Sequence, residues 1–142
     1  MIRNLSKINN NWIYLIISIS VFLTQFSYIE FEVIDWDEST YLLISKYLSE
    51  GSILYVDYWE AKPPVFFIYI AFIFKLFGST LLVGRLAGDF CILLSTIFTY
   101  KILEKNYSKL ISLSSALFLI YLFSYEASQP TMTEHLGILF IV

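Results

Sequence analysis

The chain has 142 residues, of which 58% are hydrophobic, 19% aromatic and only 15% charged. Its mean hydropathy of +0.70 is higher than soluble domains of this size normally reach, so we interpret it as an integral membrane protein. The net charge of −3 and the lack of a basic block argue against a nucleic-acid partner. The single cysteine, Cys91, excludes an internal disulfide.

An apolar run preceded by two cations opens the chain. Arg3 and Lys7 come before an uncharged stretch over residues 12–29, which is close to the roughly 20 residues that a membrane-spanning helix needs. A cleaved signal peptide is the alternative, but no small-x-small site follows the run, so we predict an uncleaved span. The two cations place the N-terminus in the cytoplasm and deliver the next segment to the opposite face.

Charge is concentrated in the stretch over residues 35–64, whose thirty residues carry six acidic side chains and two lysines. We assign it to a first outer loop over about residues 30–79. Tyr41, Ile44 and Leu48 fall on one face at helical spacing, which predicts a short amphipathic helix at the membrane interface. Asp35 and Glu38 resemble a capping pair at its start.

A second helix is predicted over residues 63–77, because the proline pair at 63 and 64 suits the first turn of a helix. This helix either crosses the bilayer or lies on the outer surface. Lys101, Lys105 and Lys109 face the cytoplasm only if it does not cross, so we predict that it stays outside.

We therefore predict an all-α integral membrane protein. We expect these residues to be the N-terminal fragment of a longer polytopic domain. The predicted spans are 12–29, 80–103 and 109–125, with a further span starting at 136 and a second outer loop over 126–135.

Short motifs in a fixed order carry a resemblance to a known family. They are DE..Y at 37–41, G...Y.D at 51–57, KPP at 62–64, FGS at 77–79 and Arg85. This order resembles the N-terminal part of the polytopic GT-C glycosyltransferases, over about residues 10–142. The closest branch is the bacterial one similar to dolichyl-phosphate-mannose protein mannosyltransferases, Rgt-like lipopolysaccharide-core transferases and the aminoarabinose transferases that modify lipid A.

The resemblance implies a GT-C transmembrane helical bundle with amphipathic juxtamembrane helices in the first outer loop. It also implies an enzyme of the bacterial inner membrane that takes a sugar from a polyprenyl-phosphate donor and passes it, with inversion, to a glycan, lipid or protein acceptor on the extracytoplasmic face. Asp37 matches the catalytic acidic residue of the family, with Glu38 as its paired neighbour. Because the carrier groove and acceptor cavity need further spans, we expect these 142 residues alone to be inactive.

A metal ion and a phosphate are the other ligands to be assigned. Glu60 matches the acidic position ahead of Lys-Pro that helps to hold a metal in the aminoarabinose branch, although Ala61 intervenes here, and Glu134 matches a second acidic position. With Asp57, these oxygens suit a divalent ion such as magnesium or manganese. The departing donor phosphate needs positive charge, for which Lys62 and Arg85 are the candidates.

Plainer interpretations exist for the same residues. Asp37 and Glu38 suit the positive end of a helix macrodipole, and Lys62 suits a headgroup anchor. Arg85 lies four residues before Asp89, which predicts an ion pair within one helix.

Tyr58 and Trp59, beside the predicted site, could belong to the interfacial aromatic belt or contact a sugar ring. At the level of the whole chain, the alternatives to an enzyme are a transporter fragment and a small non-enzymatic membrane protein.

Overall fold

A computed structural model describes residues 9–29, 36–125, 131 and 133–141. These residues form six helices: α1 (Asn10–Ile29), α2 (Trp36–Ser49), α3 (Pro64–Phe77), α4 (Leu81–Leu103), α5 (Lys109–Tyr125) and α6 (Thr133–Ile141). The described part of the chain contains no strand, only an isolated bridge between Leu54 and Tyr58. The helices therefore form where the apolar runs and the amphipathic pattern predict them. Arg3, Lys7 and Asp35 lie outside the described residues, as does most of the second outer loop.

Helix α4 is the central element of the fold. It packs against α1, α3, α5 and α6, whereas α2 packs chiefly against α3 to form a helical hairpin. The first half of α4 contributes Ala87 and Cys91 to an apolar cluster built mainly by this hairpin. The second half contributes Ile92 and Tyr100 to another cluster, shared with α1 and α5. One helix thus carries the hairpin at its beginning and a three-helix bundle along its remainder.

The start of the hairpin's second helix follows from its prolines. Pro63 has extended backbone angles, φ −59° and ψ 145°, and Pro64 occupies the first turn of α3, where a missing N–H costs no helical hydrogen bond. Gly78, with φ +93°, ends the helix in a conformation that favours glycine. The predicted start of this helix is confirmed. Its 14 residues span about 21 Å, which is less than the ~30 Å of a bilayer core.

The amphipathic pattern of α2 is also confirmed. Tyr41 and Ile44 are buried, and Leu48 packs at the margin of the same cluster, against α3. Close approach of α2 to α4 occurs at Gly84, where a Cβ atom would meet the end of the Leu42 side chain.

Polar contacts distinguish the two ends of α4. Near its C-terminus, Glu104 lies within 3.4 Å of the Asn10 amide nitrogen, and the Lys101 ammonium is 5.8 Å from the Tyr14 ring centroid. The beginning of α1 and the α4–α5 turn therefore share one end of the molecule. Arg85, in the second turn of α4, bonds to α2 at the opposite end.

One helix of the described chain, α4, is long and apolar enough to cross a membrane by length and composition. Shorter apolar helices cover Asn10–Phe26, Pro64–Phe77 and Lys109–Ser124. The predicted spans over 12–29 and 109–125, and the outer position of 63–77, stay predictions.

Candidate functional site

A buried ion pair joins the hairpin to α4. Arg85 Nε and Nη2 donate to the two carboxylate oxygens of Glu38 at 2.9 and 2.8 Å, and neither side chain is exposed to solvent. Thr131 Oγ1 donates to Glu38 Oε1 at 3.0 Å. Several groups thus satisfy Glu38, as burial of a charge requires. The arrangement fixes the first turn of α2 against the second turn of α4.

This pairing corrects one prediction about Arg85. The ion pair expected with Asp89 on the same helix is wrong, because the guanidinium turns across the helix interface to Glu38 instead. The donor-phosphate role of Arg85 stays a prediction. In this structure the guanidinium is enclosed and makes two charge-assisted hydrogen bonds to a carboxylate, the arrangement in which arginine binds most specifically.

Asp37 precedes Glu38 in the chain but faces solvent. It lies in the first turn of α2, where a carboxylate also stabilises the positive end of the helix. One turn later, the Tyr41 hydroxyl donates to Asp37 Oδ2 at 3.3 Å. Consecutive acidic residues thus have separate environments: Glu38 is enclosed, and Asp37 is presented at the surface.

Lys62 and Glu134 form a second, more exposed ion pair. Their Nζ and Oε1 atoms are 2.9 Å apart, and the side chains are 36% and 54% exposed. The Glu134 hydrogen bond raises the pKa of Lys62 above its ordinary value. Burial alone would raise the pKa of Glu134, but hydrogen bonds from Lys62, its own backbone and Thr133 together lower it. The pair connects the segment before α3 with the first turn of α6.

The Tyr41 hydroxyl interacts electrostatically with Asp37 and with both members of the Lys62–Glu134 pair. Burial raises the pKa of its hydroxyl, the Lys62 charge opposes that shift, and the charges of Asp37 and Glu134 reinforce it. We call these four residues, Asp37, Tyr41, Lys62 and Glu134, the Asp37 cluster. It brings together side chains from α2, the α2–α3 loop and α6, and so assembles the predicted catalytic residue beside one of the two predicted phosphate ligands.

The predicted metal ligands are not assembled in the same way. Asp57 Oδ2 accepts from the Ile53 backbone N–H at 2.7 Å, and Glu60 Oε1 accepts from the Ala61 N–H at 2.8 Å. Glu134 pairs with Lys62. Across the part of the chain that the structure describes, no three histidine, cysteine or acidic side chains lie together as a metal site would require. These residues do not fit a bound ion in this arrangement, and the metal site stays a prediction.

Two aromatic side chains of the loop have different surroundings. Tyr58 stacks on Tyr47 of α2, with the ring centroids 4.9 Å apart and an interplanar angle of 4°. Trp59 is 79% exposed. One face of Tyr58 is therefore occupied by the hairpin, and Trp59 is the more accessible ring for a sugar or a lipid headgroup.

Two residues of the site escaped sequence analysis. Thr131 lies far from Glu38 in sequence, and no local pattern marks it as a partner. Tyr41 was assigned to the apolar face of α2 and to the DE..Y motif but was given no role in the site, since helical periodicity places its ring but does not say what its hydroxyl bonds. The spacing of four residues from Asp37 was the signal that could have found that bond.

Comparison with known proteins gives one match. Residues 61–142, more than half of the chain, match the family described as dolichyl-phosphate-mannose-protein mannosyltransferase. This range contains Lys62, Arg85 and Glu134, while Asp37 and Glu38 precede it. No curated protein and no solved structure matches the chain. The chain therefore belongs to the dolichyl-phosphate-mannose-protein mannosyltransferase family of membrane GT-C glycosyltransferases, as its short motifs predict.

Proposed function

We propose that this chain belongs to a glycosyltransferase that moves a sugar from a polyprenyl-phosphate carrier to an acceptor on the extracytoplasmic face, with inversion. The observation that supports it best is the Asp37 cluster, in which the exposed Asp37 carboxylate and the partly exposed Lys62 ammonium both interact with the Tyr41 hydroxyl. The acceptor is a glycan, a lipid or a protein, and the compartment is the bacterial inner membrane.

The reaction assigns separate tasks to these charges. The acceptor oxygen attacks the sugar C1 atom while the bond from C1 to the phosphate oxygen breaks, and the polyprenyl phosphate leaves with the bonding electrons. Asp37 accepts the proton that the acceptor loses. One carboxylate acting as base suits direct displacement and inversion, whereas a double displacement needs a second carboxylate as nucleophile.

Lys62 is the stronger candidate for the departing phosphate. Its ammonium is a mobile point charge on a partly exposed side chain, and developing negative charge on the leaving group is stabilised by such a cation. The Arg85 guanidinium is enclosed, so in this arrangement its ion pair with Glu38 fixes the first turn of α2 against α4. No step of the reaction is assigned to a metal ion.

The two ends of the molecule support the proposed orientation. Lys101, Lys105 and Lys109 lie at or near the α4–α5 turn, at the end shared with the beginning of α1. With those lysines in the cytoplasm, the Arg85 end of α4 and the hairpin attached to it face outward. The Asp37 cluster then lies on the extracytoplasmic side, where the proposed transfer from the polyprenyl-linked donor to the acceptor takes place.

The donor class provides the test of this proposal. Membranes that carry the product of the complete reading frame are given radiolabelled mannose as polyprenyl-phosphate mannose or as GDP-mannose, and incorporation into lipid, glycan and protein fractions is measured. We expect transfer from the lipid-linked donor only. The GDP-mannose sample uses polyprenol-depleted membranes, in which GDP-mannose cannot be converted into the lipid-linked donor.

Transfer from GDP-mannose in depleted membranes contradicts the proposed function, and transfer from neither donor contradicts mannose as the sugar that is moved. A parallel sample with the 142-residue chain alone should show no transfer. Activity in that sample would contradict the proposal that further spans are required. A small non-enzymatic membrane protein or a transporter fragment predicts no transfer in any sample.

A further inference from the structure

Tyr41 occupies the centre of the Asp37 cluster. It follows Asp37 by four residues on α2, so the two side chains lie on one face of the helix. The hydroxyl donates to Asp37 Oδ2 at 3.3 Å. The hydroxyl also has a hydrogen-bond interaction with Lys62, so it lies between the predicted base and the predicted phosphate ligand.

The Tyr41 ring is held by the hairpin. Only 3% of the residue is exposed, and its ring packs edge-on against Phe66 at 5.8 Å and Phe67 at 5.7 Å between centroids. Both phenylalanines belong to α3. Edge-to-face contacts restrict a ring whose side chain has few rotatable bonds. The hydroxyl position is consequently set by the packing of α3 on α2.

The hydroxyl also stays protonated next to several charges. Burial raises its pKa, Lys62 opposes this, and Asp37 on the same helix and Glu134 on α6 reinforce it. The helix packed against the ring, α3, contributes phenylalanines at the contact. Near neutral pH the Tyr41 hydroxyl therefore keeps its proton and donates it to the hydrogen bond with the Asp37 carboxylate.

We propose that Tyr41 is a positioning residue, whose clamped hydroxyl holds the Asp37 carboxylate in the orientation that takes the acceptor proton beside Lys62. This inference rests on the proposed function. It goes beyond it by naming a residue that touches neither sugar nor phosphate, and by making the rate of transfer depend on the packing of α3.

The experiment removes the hydroxyl and keeps the ring. Tyr41→Phe and a control, Tyr69→Phe, are made in the product of the complete reading frame and assayed with polyprenyl-phosphate mannose. Tyr69 lies on α3, and its hydroxyl donates to the Ala87 carbonyl at 2.9 Å, so both variants lose one hydroxyl together with its hydrogen bonds. Of these two tyrosines, Tyr41 is the one that bonds to the predicted base.

We expect Tyr41→Phe to lower kcat by roughly tenfold to a hundredfold, as small displacements of a catalytic group do, with the donor KM within about twofold of the wild-type value. Tyr69→Phe should keep the wild-type kcat, and the two variants should melt at similar temperatures. A large loss of kcat in Tyr41→Phe alone cannot then be a packing defect.

The outcomes separate this inference from the proposed function. If the wild-type protein transfers sugar and Asp37→Asn does not, but Tyr41→Phe keeps its kcat, only the role of Tyr41 is overturned. An equal loss in Tyr41→Phe and Tyr69→Phe also overturns it, since the effect would then be structural. A wild-type protein that transfers no sugar overturns both.

Discussion

Arg85 and Glu38, which are 47 residues apart in the sequence, meet as a two-pronged ion pair with no solvent exposure. The pair fixes the first turn of α2 against α4, and Asp37 is the residue immediately before Glu38. Rigid support directly behind a reacting side chain is what a catalytic site needs. The buried pair therefore holds in place the turn that presents Asp37 at the surface.

Breaking this pair should destabilise the protein strongly. Glu38→Gln removes the carboxylate charge that pairs with the buried Arg85 guanidinium, and removal of one partner of a buried pair costs about 3–5 kcal/mol. We expect a clear fall in the melting temperature of the detergent-solubilised protein. Glu50→Gln, a substitution at an exposed acidic residue just after α2, is the control and should melt like the wild type. A Glu38→Gln protein that melts at the wild-type temperature would show that the pair does not stabilise the fold.

Gly84 should tolerate only small side chains. A Cβ atom there meets the end of the Leu42 side chain, whereas Gly137 on α6 has no atom within 4 Å of its Cβ position. Leu42 can rotate to admit one methyl group but not a branched side chain, because it is packed within the hairpin cluster. We expect Gly84→Leu to lower the melting temperature by far more than Gly137→Leu does. Equal effects of the two substitutions would contradict the close packing of α2 on α4.

The stability that the Lys62–Glu134 pair contributes to the fold should depend on pH in a defined direction. The pKa of Glu134 is lowered from 4.5, so the pair stabilises the fold above that value and the contribution disappears as the pH falls through the lowered pKa. The pKa of Lys62 is raised, so its contribution is present below 10.5 and is lost at more alkaline pH. Hydrogen-exchange protection of the segment before α3 should therefore fall in acid. A Glu134→Gln protein should lack this acid-dependent change, and an unchanged acid response in that variant would contradict the assignment.

Lys62 should matter more for donor binding than for folding. Lys62→Gln removes the ammonium that we assign to the phosphate, and a charge-assisted contact of this kind contributes about 1.5–3 kcal/mol, or roughly a tenfold to hundredfold change in donor affinity. The expected result is a raised donor KM or a lowered kcat with an almost unchanged melting temperature. Lys75→Gln, at an exposed lysine of α3, is the control. If both variants behave alike, Lys62 does not bind the phosphate.

Local patterns in the sequence account for most of the helices. Proline position predicted the beginning of α3, and the spacing of Tyr41 and Ile44 predicted the buried face of α2. The partner of Arg85 could not be predicted in this way. The i,i+4 rule offers Asp89, because it considers one helix alone, while the observed partner comes from α2 through tertiary packing.

In the candidate site, too, the sequence identified individual residues, whereas tertiary packing determines their contacts. The family resemblance selected Asp37, Lys62 and Glu134 one at a time, and the structure brings Lys62 and Glu134 into contact. The environments of Asp37 and Glu38 differ because successive helical residues point in directions about 100° apart, and which of the two is buried depends on where α4 lies. Asp57 and Glu60, the predicted metal ligands of the loop, each accept a hydrogen bond from a nearby backbone N–H.

The most direct measurement is sugar transfer by an Asp37→Asn protein. The complete gene product, as wild type, Asp37→Asn and the Glu50→Gln control, is assayed in membranes with radiolabelled polyprenyl-phosphate mannose at matched expression. Asn cannot accept the acceptor's proton but has nearly the same size as Asp, so we expect transfer to fall by at least a hundredfold in that variant alone. Transfer by Asp37→Asn at the wild-type rate would contradict the account, because the exposed carboxylate of α2 would then have no part in the reaction.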